Sequence, residues 1–239
     1  MENLETQLTQ LRLQGMKQCY QTLLETRQHL QVSFSEGLEL LLQAEEQSRK
    51  ERRFERLKHK AQFRYQASIE EVLIDPARGM SKELLFSLSG EKYVKEGRSV
   101  LVTGASGCGK SFFATALGYQ ACNLDYTVAY YSSQKLLNKI KLAQVDGTIF
   151  KFMHQLAKTD LLIMDDFGLS HLDKQQRNHL MEIIEDRHGK KATIIASQLP
   201  VENWYDLIGE STIADAIMDR LVHASIRVKL QGESLRKKM

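Results

Sequence analysis

The chain has 239 residues, 42% apolar and 26% charged, with a formal net charge of only +3. That is ordinary globular composition, long enough for one large domain with a small appendage, and the whole-chain balance does not by itself announce a nucleic-acid partner, so any basic surface must be local. No apolar run approaches the ~20 residues of a membrane span. The three cysteines Cys19, Cys108 and Cys122 form no C-x-x-C pair and have no histidine at zinc spacing. Free thiols and a polar, acidic start (Met1 to Glu5) unlike a signal peptide suit a cytoplasmic protein.

Residues 1 to about 66 contain no proline and read as helix almost throughout. Leu4, Leu8, Leu11, Met16, Tyr20, Leu23 and Leu24 recur at helical spacing on one face; after a break at 33–37, Leu38, Leu41, Leu42, Phe54 and Leu57 form a second. A small helical bundle is expected. Near its end Arg49, Lys50, Arg52, Arg53, Arg56, Lys58 and Lys60, followed by Arg64, outnumber Glu51 and Glu55, with Phe54, Phe63 and Tyr65 interleaved. Such a helix can lay cations along DNA phosphates, each contact releasing counterions; the plainer reading is a solvated face with internal Glu–Arg pairs.

The sequence changes character near residue 67, and Pro76 follows. The expected division is therefore a helical domain over 1–66 and a second domain over 67–239. In the second, strands at 98–103, 126–131, 160–165, 192–197 and 225–230 alternate with helices at 110–121, 133–158, 173–188 and 203–222. That pattern predicts an α/β fold, a parallel sheet between two layers of helix.

Gly104, Ala105, Ser106, Gly107, Cys108, Gly109, Lys110 and Ser111 spell G-x-x-x-x-G-K-S between the first strand and its helix. Glycines let the backbone curl so that its N–H groups converge on an anion, and the helix adds its own unpaired N–H groups. Lys110 is placed to reach the β- and γ-phosphates of a nucleoside triphosphate, and Ser111 to ligate Mg²⁺. Cys108 fills a small-residue slot.

The third strand ends in Asp165-Asp166, delivering carboxylates to the sheet edge where open α/β sheets bind ligands. Asp165 is the expected second metal holder and Asp166 the group that polarises the attacking water. An extra strand, 126–131, falls between loop and acids, and with the second acid it separates the RecA- and AAA+-type ATPases from nucleotide kinases and small GTPases. The fourth strand ends in Ser197-Gln198, either of which can orient water near the γ-phosphate. By resemblance to such ATPases more than by its own chemistry, Arg220 is the candidate arginine finger, ahead of Arg187 and Arg177, and its plain alternative is a surface ion pair with Asp215 or Asp219.

Leu11-Arg-Leu-Gln-Gly-Met16, Arg78-Gly79, the phosphate loop, Leu162 to Gly168, Asp219-Arg-Leu and Gly232-Glu-Ser-Leu-Arg236 together resemble the IstB-like ATPases, AAA+ helpers of bacterial insertion sequences related to replicative helicase loaders. The resemblance covers nearly the whole chain. It implies an ATP- and Mg²⁺-dependent homo-oligomer with a nucleotide site shared between subunits. Such an oligomer assembles on double-stranded DNA and hands it to a cognate transposase. A helicase loader and a nucleotide switch with little hydrolysis are the neighbouring readings. Cys108 stands where Thr or Val is common, Gln198 stands where Asn is common in the wider AAA+ class, and a lid arginine is not in view unless Arg236 serves.

Overall fold

The computed structural model describes residues 2–223 and 225–235, in two compact units, Met1–Arg56 and Leu57–Met239. Arg236 lies outside the described residues. The division falls inside a helix, between Arg56 and Leu57, rather than at the change of character near residue 67.

In the first unit α1 (Glu2–Gln10) and α2 (Gln14–Glu25) precede α3 (Phe34–Ala61). The Leu-Arg-Leu-Gln-Gly-Met stretch is the turn into α2, whose first amides have no intrahelical partner. Glu45 of α3 supplies one: its Oε2 accepts from Gly15 N at 2.8 Å and Met16 N at 3.3 Å. Its Oε1 accepts from Arg49 Nε at 2.7 Å and Arg52 Nη2 at 3.2 Å. Burial pushes the Glu45 carboxyl up, but the Arg49 hydrogen bond and the Met16 and Gly15 amides outweigh it and hold it below its ordinary value. This stabilisation is present above the ordinary carboxylate range and is lost as pH falls through the lowered value. Glu45→Ala strands two amides and is expected to cost about 2–3 kcal/mol. A lowered urea midpoint for the helical unit checks this, and an unchanged midpoint contradicts it.

The second unit continues through α4 (Lys82–Ser89) and α5 (Lys92–Lys95) to β1 (Ser99–Thr103) and α6 (Lys110–Asn123). Then come β2 (Val128–Ser132), α7 (Ser133–Val145), α8 (Ile149–Lys158), β3 (Leu161–Phe167) and α9 (Lys174–Arg187). The unit closes with β4 (Ala192–Ser197), α10 (Trp204–Ile208), α11 (Ser211–Val222) and β5 (Ile226–Lys229). All strand pairs are parallel, in the order β2-β3-β4-β1-β5. Parallel strands are buried on both faces, and Val100, Leu101, Val102, Ile194 and Ile195 are fully enclosed. Trp204 is also enclosed; its indole donates to Leu199 O at 3.1 Å and its ring meets Phe167 edge-on at 4.9 Å.

The strand that lies beside both the phosphate-loop strand and the acid strand is β4, and the 126–131 segment forms β2 at the sheet edge. Burial explains the placement. Every β4 residue is buried, whereas Ala129, Tyr131 and Ser132 of β2 are half-exposed and suit an outer position.

Residues 57–66 pack within the second unit. Phe63 stacks on Tyr119 at 4.7 Å and meets Tyr130 at 6.1 Å. Gly118 makes room: a Cβ there would stand 2.5 Å from the Phe63 ring. Among the described residues no helix is long and apolar enough to cross a membrane.

Candidate active site

The phosphate loop joins β1 to α6, with Gly104, Gly107 and Gly109 all at positive φ (150°, 80° and 103°). Gly107 also permits a close approach, because a Cβ there would lie 2.2 Å from Ser234 Oγ. Lys110 is 7% exposed, and its Nζ donates to Ala105 O at 2.8 Å, so the ammonium is folded onto the loop. Cys108 is buried, in keeping with its small-residue slot.

Ser111 and Asp165 are brought together. Asp165 is 1% exposed, and its Oδ1 accepts from Ser111 Oγ at 2.9 Å and from Asp166 N at 2.8 Å. Its Oδ2 accepts from the Tyr130 hydroxyl at 2.5 Å. Burial and this bond push the Tyr130 phenol up, so it remains a neutral donor that orients the carboxylate. The β3–β4 register slips between Met164 and Phe167, and Asp166 sits at the slip with φ of 54°. Bulges re-aim side chains, and Asp is among the few residues that tolerate the left-handed region. Asp166 Oδ2 accepts from Arg64 Nη1 at 3.1 Å.

Ser197 is committed to the fold: its Oγ donates to Phe167 O at 2.7 Å and accepts from Leu199 N at 3.0 Å. Gln198 is exposed. Arg220 Nε pairs with Glu185 of α9 at 2.5 Å and Nη1 donates to Ala216 O at 3.0 Å; Asp215 and Asp219 are not the partners of this pair. Arg187 is 1% exposed and spends its guanidinium on Thr193 Oγ1 and the carbonyls of Leu156, Thr159 and Ala192. Arg177 donates to Ile208 O at 3.1 Å.

The basic stretch is split. Arg49, Arg52, Arg53 and Arg56 line one open concavity with Arg12, and Lys50 pairs with Glu46 at 2.7 Å. Lys58 lies 5.9 Å from the centre of the Tyr119 ring, and Lys60 lines a different hollow.

A small cleft beside the loop is lined by Val72, Leu73, Cys108, Phe112, Leu230 and Leu235, with Arg78 at its rim. The segment 230–235 is tied over it. Leu230 N donates to Thr103 O at 2.8 Å, Gln231 N to Arg78 O at 2.9 Å, and Leu235 N to Gly107 O at 2.9 Å. Arg78 Nη2 donates to Glu233 O at 2.8 Å. The Arg78-Gly79 and Gly232-Glu-Ser signatures are thus two halves of one brace against the phosphate loop. Composition and spacing gave no sign of this cleft, of Tyr130, or of the Arg64–Asp166 pair.

Comparison with known proteins agrees with this geometry. The family model described as IstB-like ATP binding protein matches residues 6–239. An insertion sequence ATP-binding protein of Sinorhizobium fredii is 40% identical over 230 residues, covering 96% of this chain and 94% of that protein. One of Pseudomonas fluorescens is 38% identical over 196 residues, covering 82% and 85%. Among solved structures, the DnaC helicase loader aligns with a TM-score of 0.56 at 19% identity, over 69% of this chain and 96% of that one. The likeness is one of fold, and in this chain that fold is a parallel five-stranded sheet with flanking helices, the AAA+ arrangement. By sequence over nearly its full length, the chain belongs to the IstB-like ATP-binding proteins associated with insertion sequences.

Proposed function

We propose that this protein is an ATPase that assembles on double-stranded DNA and assists a transposase in moving an insertion sequence. The observation that carries the reading is the convergence of Lys110, Ser111, Asp165 and Asp166 at the carboxyl edge of the sheet. Ligands of open α/β sheets bind there.

The donor set fits a Mg²⁺–nucleotide. Among the described residues no cluster of three His, Cys, Asp or Glu forms a metal site. Ser111 and Asp165 offer two hard oxygens, which suits an ion that takes its other ligands from phosphates and water. When bound, Mg²⁺ neutralises charge across the β- and γ-phosphates. Loop amides 104–111 and Lys110 hold the triphosphate, and the cleft at Val72, Leu73 and Leu235 takes the base. Asp166 orients a water and draws off its proton as the oxygen bonds to the γ-phosphorus. The β–γ bridging bond breaks, and ADP and phosphate leave. Gln198 positions the same water, since the Ser197 hydroxyl proton is already given to Phe167 O.

Arg220 completes the site of a neighbouring subunit, which requires it to leave Glu185 on assembly. Arginine fingers contribute about 10³–10⁵ in rate. Arg220→Ala is therefore expected to keep nucleotide affinity and lose at least about 10³-fold in assembled turnover. A mixed assembly tests the shared site: Asp166→Asn subunits, which keep Arg220, restore turnover at the sites of Arg220→Ala neighbours only if the finger acts in trans. In this reading the second unit hydrolyses ATP, the helical unit contributes DNA and subunit contacts through Arg49, Lys50, Arg52, Arg53 and Arg56, and Lys58 and Lys60, past the division in α3, extend those contacts onto the second unit. The reading is tested by ATP turnover with and without duplex DNA. DNA should raise it, and turnover indifferent to DNA contradicts the coupling.

A further inference from the structure

A second cationic surface lies within the ATPase unit and ends on a catalytic candidate. Two adjoining hollows along the edge strand β2 share Gln62, Tyr130 and Tyr131. Lys60, Lys151 and Lys158 line one, and Arg64, Lys135 and Lys139 line the other. Against these six cations the lining holds one carboxylate, Asp166. All six cations are exposed. They stand on three separate segments: the end of α3 and the turn after it, α7, and α8. A spread of cations along a groove matches a continuous polyanion better than a single phosphate. Tyr131, with Lys139 5.2 Å from its ring centre, adds aromatic surface to the same wall.

Arg64 belongs to both features. Its side chain is 51% exposed toward the groove while Nη1 holds Asp166 Oδ2. A carboxylate engaged by a guanidinium has an oxygen taken that would otherwise accept a water proton. The Phe63 stack on Tyr119 fixes the neighbouring backbone, so the pairing does not depend on a free chain end. A half-exposed ion pair of this kind biases an equilibrium by no more than about fivefold, so a phosphodiester can compete for it.

We propose that the β2-edge groove takes a DNA backbone, and that its phosphates draw Arg64 away and release Asp166 to work on water. Arg64 is a positioning residue here, acting through Asp166. The proposal rests on the ATPase reading above, and adds to it a DNA surface outside the helical unit and a means by which DNA sets the hydrolysis rate.

The test uses the full chain in two arms. In the first, turnover is measured without and with duplex DNA for wild type, Arg64→Ala and Arg64→Lys. Arg64→Ala should raise DNA-free turnover about two- to fivefold at unchanged KM for ATP, and DNA should add little more. Arg64→Lys, which keeps one charged bond to Asp166, should restore the wild-type pattern. In the second arm, fluorescence anisotropy follows a labelled duplex as salt is raised, without nucleotide. Lys135→Gln, Lys151→Gln and Lys158→Gln together should weaken binding and flatten the log–log salt slope by about 0.9 per lost contact. Unchanged DNA-free turnover in Arg64→Ala, or an unchanged slope in the triple variant, overturns the proposal. So does displacement of the duplex by poly-glutamate at matched charge, which would assign the groove to an acidic protein. A wild type that neither binds ATP nor responds to DNA fails the ATPase reading instead, which keeps the two failures apart.

Discussion

Lys110→Ala is expected to weaken ATP binding by about 10- to 150-fold, the equivalent of a charged hydrogen bond at about 1.5–3 kcal/mol. The side chain is nearly buried in the loop, and its ammonium rests on Ala105 O. A triphosphate offers that ammonium a better partner than a carbonyl. The same variant should not assemble in ATP, because assembly in this account follows nucleotide binding. The fold should survive, since the loop glycines and the brace from 230–235 hold the backbone without the amine. Equilibrium titration with a fluorescent ATP analogue reads the affinity, and light scattering reads the assembly. Wild-type behaviour in both would remove Lys110 from the site.

Asp166→Asn is expected to lower turnover by about 10²–10⁴-fold while ATP affinity stays within a few-fold, as for loss of a general base. Asparagine is the informative replacement. Asp166 sits at a φ of 54°, where Asn is tolerated and most other side chains are strained, so the change removes the charge without disturbing the bulge. The ATP-bound, DNA-bound assembly should then persist, visible as slowed dissociation from duplex after dilution. Wild-type turnover in this variant would move the base elsewhere. Asp165→Asn should behave differently. That carboxylate is enclosed by Ser111, Tyr130 and the Asp166 amide, so its loss should weaken Mg²⁺-dependent binding as well as rate.

The phosphate loop and the acid pair were legible because each is a local event. Eight consecutive residues form one glycine-rich loop, and four apolar residues carry two carboxylates to a strand end. The strands were legible for a similar reason, as short apolar runs buried on both faces, and the observed β4 coincides with the expected 192–197. What sequence could not supply was adjacency. The strand neighbouring both β1 and β3 is β4, a choice made by which strand is buried on every residue. Arg64 and Asp166 are 102 positions apart, and Arg64 read as one more cation of a basic run. Arg78 and Glu233 are 155 apart, so two signature motifs with no visible relation turn out to brace one loop. Arg187 offered the opposite lesson. It looked available on a helix, yet its donors are spent on carbonyls inside the core. Glu45, unremarked among the acids of a helix, caps α2 through the amides of Gly15 and Met16.

Every role assigned to Asp166, Arg220 and Arg64 presupposes a magnesium-bound triphosphate seated in the 104–111 loop. Calorimetric titration of the full chain with ATP and Mg²⁺ tests that presupposition most directly. The expected result is saturable binding at one site per chain, lost in Lys110→Ala. No detectable heat or saturation with the intact, folded chain would contradict it.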